Sequence, residues 1–218
     1  REIPNGTYVS DQARYWNQVL LDTKGIFWIL VPHDSIYSYD THTGEVKSRV
    51  SISEIIPSDA TSAPDNSIYI LDNSSGENRL FHYFPETNEL INVYYRLEPQ
   101  PLIRNLLVDH AGNLWAGGLG WMEPDGTWYQ ILRSPLFVTT QLDLDGGPVV
   151  NRWEQPNILL ESSDKMFWFI SPNGTFSLDA EEGEWCWFST YLSNIIEDPD
   201  HNLWMIVDEQ LYKMKLNR

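Results

Sequence analysis

Apolar residues in this chain gather in short runs broken by polar turns, with no 3.6-residue period, and the runs recur in one fixed order. The clearest instance is Leu106-Leu107-Val108-Asp109-His110-Ala111-Gly112-Asn113-Leu114-Trp115-Ala116-Gly117. An apolar run is followed by a turn from Asp109 to Gly112, and then by a second run carrying Trp115. Val19 to Trp28, Leu159 to Trp168 and Ile195 to Trp204 align with it, as does a degenerate copy from Ala63 to Tyr69. With the aromatic of the second run as marker, positions 28, 69, 115, 168 and 204 are 41, 46, 53 and 36 residues apart. A four-stranded blade with short turns needs about 40 to 50 residues, so the spacing predicts one sheet per repeat. Third strands are expected at Ile36–Asp40, Leu80–Phe84, Thr175–Asp179 and Leu211–Met214. Fourth strands are expected at Glu45–Ser48, Thr127–Ile131 and Trp185–Phe188, beyond Gly-containing turns.

Turn chemistry points the same way. Asp or Ser at the first turn position accepts from backbone amides two residues on, and Gly, Asn or a small polar residue at the fourth takes the positive φ of a tight hairpin. The repeats therefore predict an all-β chain, a five-bladed β-propeller forming a single domain over residues 1–218. After the marker at 204 there is room for a third strand only, and Gly6-Thr7-Tyr8-Val9-Ser10 precedes the first blade without a blade of its own. The expected closure is that this N-terminal strand pairs into the last blade and removes an exposed sheet edge.

The Asp-x-x-Gly-Asn-Leu-Trp-x-Gly pattern of Asp109 to Gly117 resembles the two-component regulator propeller repeat, and the resemblance runs over nearly the whole chain. It implies an extracytoplasmic, periplasmic or secreted sensor-type propeller. The five repeats are fewer than members of that family commonly carry.

Charge narrows the partners. Thirty-one acidic against 14 basic residues give a formal net charge of −17, spread along the chain. No stripe of Lys and Arg is available to displace counterions, so nucleic acid is excluded as a partner and an anionic membrane surface is disfavoured. No apolar run approaches the roughly 20 residues of a membrane-spanning helix. Cys186 is the only cysteine and leaves the redox compartment open. The chain opens on Arg1 rather than Met, as expected of a processed product or trimmed segment. Sequons stand at Asn5, Asn73 and Asn173.

The recurring Trp28, Trp115, Trp168 and Trp204 are expected to pack between neighbouring sheets, and Asp22, Asp109 and Asp198 to form turns. Site residues are sought instead where loops break the repeat, on the face that carries second-to-third-strand loops and blade-to-blade connections. The ligand-binding candidates are His33, Asp34, Asp72, Arg79, Trp121, Arg152, Trp153 and Asp208, with Ser171 to Asn173 beside them. The 53-residue step marks an insertion within residues 133–157, expected to carry specificity. It contains Asp143-Leu144-Asp145-Gly146, a calcium-like fragment without the third acidic position and the distant Glu of a helix–loop–helix site, so no cofactor is expected, with a bound calcium as the alternative. No nucleophile elbow, zinc motif or phosphate loop occurs. The sequence thus favours a non-catalytic module binding a small molecule, glycan or protein segment. The alternatives are an assembly subunit joined through blade edges, and a polysaccharide-active or lyase-type propeller enzyme.

Overall fold

In the computed structural model the described residues are 18–93 except 23 and 77, then 103, 105–117, 120–130, 157–171, 174–179, 182, 184–188, 192–207 and 210–215. Among them every regular element is a strand. The first sheet is β1 (Gln18–Leu21), β2 (Ile26–Leu30), β3 (Ser35–Asp40) and β4 (Val46–Ser51). The second is β5 (Asp59–Ser62), β6 (Ile68–Asp72), β7 (Arg79–Phe84) and β8 (Glu89–Val93). The third is β9 (Leu106–Val108), β10 (Leu114–Ala116), β11 (Gly120–Met122) and β12 (Trp128–Gln130). The fourth is β13 (Asn157–Glu161), β14 (Met166–Ser171), β15 (Gly174–Asp179) and β16 (Glu184–Phe188), and the fifth is β17 (Leu192–Glu197), β18 (Asn202–Val207) and β19 (Gln210–Lys215). Each is an antiparallel meander in chain order, and among the described residues no ladder joins one sheet to another. The expected strand at Gly6–Ser10, the Asp143–Gly146 fragment and all of the 133–157 insertion but Asn157 lie outside the described residues.

The chain divides into two compact units, one holding the first and second sheets and the other the remaining three. In the first unit, Trp28, Leu30 and Ile36 of the first sheet pack with Ile68, Ile70, Phe81 and Tyr83 of the second, and the Trp28 and Tyr83 rings meet edge to face at 5.8 Å. In the second unit Trp115 meets Phe167 and Phe169 of the fourth sheet at 4.4 and 6.2 Å. One sheet on, Trp168 packs with Ile195 and Leu203 of the fifth. These three indoles are buried, as expected of wedges between sheets, while Trp204 is only half-buried, with Lys213 Nζ 5.0 Å from the centre of its ring.

Each wedge is also held from its own turn. Asp109 Oδ1 accepts from the amides of Ala111 and Asn113 at 2.9 and 2.8 Å, and its Oδ2 accepts from Trp115 Nε1 at 2.8 Å. Asp22 does the same for Lys24, Ile26 and Trp28, each at 2.9 Å. Asp198 accepts from the Asp200 and Asn202 amides and from Trp204 Nε1. Those bonds, led by the Asn202 amide and the Trp204 indole, draw the Asp198 carboxyl down to about 2. In the fourth sheet Ser162 Oγ replaces the carboxylate and receives Trp168 Nε1 at 3.2 Å. The degenerate second copy has Ala63 and Tyr69 at these positions, so acceptor and donor are lost together. The fourth turn residue has positive φ in all five copies: Gly25 (79°), Asn66 (66°), Gly112 (86°), Lys165 (65°) and His201 (61°). Lys165 and His201 thus go beyond the small residues expected there, at the modest cost of a left-handed non-glycine.

A second tie links sheets within the second unit. Glu161, at the end of β13, accepts from the His110 amide in the preceding sheet's turn at 2.7 Å. Glu197, at the end of β17, accepts from the Ser163 amide at 2.7 Å and faces His201 Nδ1 at 2.8 Å. Burial opposes ionisation of Glu197, but the bonds from Ser163 and His201 outweigh it and hold its carboxyl below the usual range.

Candidate functional site

On the side of the first unit opposite the Asp22 turn, three segments meet. The first is the β2–β3 turn, Val31-Pro32-His33-Asp34, closed by a bond from the Asp34 amide to the Val31 carbonyl at 3.1 Å. Pro32 fixes φ for the second turn position, and the third is then left-handed, a place that favours glycine. His33 occupies it with φ of 59°. A non-glycine residue kept there marks a position over-determined by its surroundings.

Those surroundings are the second segment, the connection from β4 to β5. The His33 amide donates to the Ile55 carbonyl at 3.2 Å and its ring Nδ1 bonds the Ser53 carbonyl at 3.0 Å. A carbonyl only accepts, so Nδ1 carries the proton. The Ile52 amide donates to the Asp34 carbonyl at 2.8 Å, and Ile52 and Ile55 anchor the connection in the core.

The third segment is the β6–β7 loop, which grips the same connection from its other end. Asp72 is wholly buried; its Oδ1 accepts from the amide and hydroxyl of Ser74 at 2.9 and 2.7 Å. Its Oδ2 accepts from the Ile56 amide at 3.2 Å and pairs with Arg79 Nη2, which also donates to the Glu54 carbonyl at 2.9 Å. Burial pushes the Asp72 carboxyl up, but the donors at Ser74, Ile56 and Arg79 together hold it below the usual range. The Arg79 guanidinium also lies 5.8 Å from the centre of the Phe81 ring.

The result is a short connection clamped at both ends, with Ser53 and Glu54 exposed between the clamps and His33 and Asp34 exposed beside them. Asp34 Oδ2 accepts from the Tyr37 hydroxyl at 2.8 Å, a bond that, with burial, raises the Tyr37 pKa. Chemically this is an acceptor-rich surface on a fixed backbone. Among the described residues, no three His, Cys, Asp or Glu side chains gather as a metal set.

Four of the expected site residues, His33, Asp34, Asp72 and Arg79, are therefore brought together, but in divided roles. Asp72 and Arg79 hold the backbone; His33 and Asp34 face outward. Trp121 is not in a loop: it lies in β11, in register with Trp115 and Tyr129. Arg152, Trp153 and Asp208 lie outside the described residues. Ser53 and Glu54 were not singled out from sequence. The available signal was the Ile52-Ser53-Glu54-Ile55-Ile56-Pro57 pattern, whose apolar residues flank two polar ones.

Strand order and repeated sheets define an all-β, propeller-like protein, and solved structures share that fold. The chain aligns over 96% of its length with 66% of YCF48 bound to D1 peptide, at TM-score 0.64 and 11% identity. It aligns over 92% with 68% of a streptogramin B lyase, at TM-score 0.59 and 13% identity. A third similar chain is described as the extracellular domain of a hybrid two component system, BT3049, from B. thetaiotaomicron, at TM-score 0.60 and 12% identity. The alignment covers 95% of this chain and only 29% of that one. No family model and no curated protein matches the sequence.

Proposed function

We propose that the chain is a non-catalytic recognition module acting outside the cytoplasm, and that the clamped connection of the first unit binds a cation-bearing peptide segment. The observation that carries this reading is the investment of His33, Asp72 and Arg79 in fixing the backbone at Ser53–Glu54, which displays Glu54 beside Asp34. Preorganised acceptors lose little freedom when a ligand arrives. A chain of net charge −17 also steers cationic ligands toward itself. The likeness to YCF48, solved with a peptide, and to an extracellular sensor domain supports the same reading.

Titrating the isotopically labelled chain with trilysine, with trialanine and with an N-acetylglucosamine trimer tests this by NMR. Trilysine alone is expected to move the amide signals of His33, Asp34, Ser53 and Glu54. The Asp34→Asn, Glu54→Gln double variant should weaken that binding at least about tenfold, or about 1.4 kcal/mol. Shifts spread evenly over the acidic surface, or a response to the glycan instead, would refute the assignment.

A further inference from the structure

One position of the repeat keeps an amide or an acid in all five sheets. It is the residue of the first strand, or just before it, that stands opposite the residue two places beyond the marker aromatic: Gln18, Asp59, Asn105, Asn157 and Asn194. The position therefore lies at the end of each sheet where the second strand runs into the loop toward the third. Structure accounts for part of the choice. Gln18 Nε2 donates to the Ser58 carbonyl at 3.2 Å and Asn105 Nδ2 donates to the Ile158 carbonyl, so in each unit an amide ties one first strand to the next.

That tie does not use up the amides of the second unit. Asn157 is half-buried, and among the described residues its carboxamide bonds nothing. Asn194 is exposed; its Oδ1 accepts from the Ile195 amide at 2.8 Å, and its Nδ2 serves no described residue. Asn105 Oδ1 is buried without a donor, although Nδ2 of the same group is tied. Three neutral carboxamides with bonding capacity unspent thus stand at one end of neighbouring strands, since Cα atoms of β13 come within 8 Å of both β9 and β17.

We propose that Asn105, Asn157 and Asn194 form a row that binds the main chain of an extended peptide. A carboxamide sets a C=O acceptor beside N–H donors, the complement of the C=O and N–H of the peptide backbone, so the two close a pair of hydrogen bonds. Extended chain repeats every two residues, about 6.6 Å, a step comparable to the distance between neighbouring first strands. Main-chain bonds then supply the affinity, as when a peptide is added along a sheet edge. Asn105 gives up little in turning to such a ligand, because its present setting leaves a buried acceptor unmade. No charge enters the row, so its binding is indifferent to salt, whereas a cation held at the clamped connection is loosened by it. The row takes from the preceding reading only that the ligand is a peptide.

The probe is an end-blocked, uncharged hexapeptide of alternating alanine and serine. Titrated into the isotopically labelled full chain, it is expected to move the side-chain amide signals of Asn105, Asn157 and Asn194 with one shared midpoint that added salt leaves unchanged. Asn157→Ala and Asn194→Ala should each weaken binding about tenfold while the indole signals of Trp115, Trp168 and Trp204 stay in place, which shows that the variants are folded. Methylating alternate backbone nitrogens of the probe removes its donors and should abolish the response of the unmodified chain, an arm that needs no variant. Silence of the three asparagine signals, or an equal response to the methylated probe, would overturn the proposal. So would movement of the same signals by maltotriose in place of the peptide. The two readings fail separately, because the signals of His33, Asp34, Ser53 and Glu54 answer to trilysine whether or not the row answers to the neutral probe.

Discussion

Trp115→Ala will remove about 3–5 kcal/mol of stability, a large share of the roughly 5–15 kcal/mol that holds a domain of ordinary stability folded. Two losses combine. The indole is 5% exposed and fills the space between the third and fourth sheets against Phe167 and Phe169, so its removal leaves a cavity that two rigid sheets cannot close. The change also strips the Nε1 donor from the buried Asp109 carboxylate, which keeps its bonds from Ala111 and Asn113 only in part compensation. Trp115→Phe separates the terms, because it keeps most of the wedge and loses the donor, and should cost about 1–3 kcal/mol. Trp204→Ala, at a half-open position, should cost less than Trp115→Ala. Urea unfolding checks all three, the midpoint falling with little change in slope. Equal losses at 115 and 204 would mean that the indoles are not inter-sheet wedges.

Arg79→Ala will destabilise by about 2–3 kcal/mol, less than the 3–5 typical of a broken buried pair, because three other donors still serve the stranded carboxylate. Asp72 is wholly buried and stays charged through bonds from Ser74, Ile56 and Arg79. Removing the guanidinium leaves that charge short of its counter-ion and frees the Glu54 carbonyl from its tie. Adding Asp72→Asn to the same chain should return part of the loss, since the uncompensated charge goes with it. The expected signature is a double-mutant cycle with a coupling of about 1–3 kcal/mol, read by chemical denaturation. Additive losses would show that the pair is incidental to the clamp.

The repeat was legible because its positions recur for local reasons. Asp at the first turn position, a residue able to take positive φ at the fourth and an indole six positions after the Asp stand together in three of the five copies, from Asp22, Asp109 and Asp198, and comparison of copies makes them unmistakable. Even the defective copy is informative, since Ala63 and Tyr69 depart together, as an acceptor and its donor must. The strands followed, most boundaries within a residue or two: the expected Leu80–Phe84 is Arg79–Phe84 and Thr175–Asp179 is Gly174–Asp179, whereas the expected Glu45–Ser48 is Val46–Ser51, three residues longer at its end.

The site was legible only by residue type. His33, Asp34, Asp72 and Arg79 stood out because they interrupt the repeat, but their division into clamp and display depends on contacts across 20 to 25 positions, such as His33 with Ser53 and Arg79 with Glu54. Nothing in Asp72 itself says that it is buried. Trp121 was misplaced because Gly117 to Gly120 reads as a loop running past it, whereas pairing with β10 and β12 draws it into a strand. The tie from Glu161 to the preceding turn left only a faint mark, a carboxylate ending the inner strand in two copies where others have Leu21 and Val108.

The most direct test of the bracket that joins turn, strand and indole is a carboxyl-carbon NMR titration of Asp198 in the unmodified protein. The bonds from Asn202, Asp200 and Trp204 place its midpoint at about 2. A midpoint near the ordinary aspartate value of about 3.9 would contradict the bracket and, with it, the reading of the repeat.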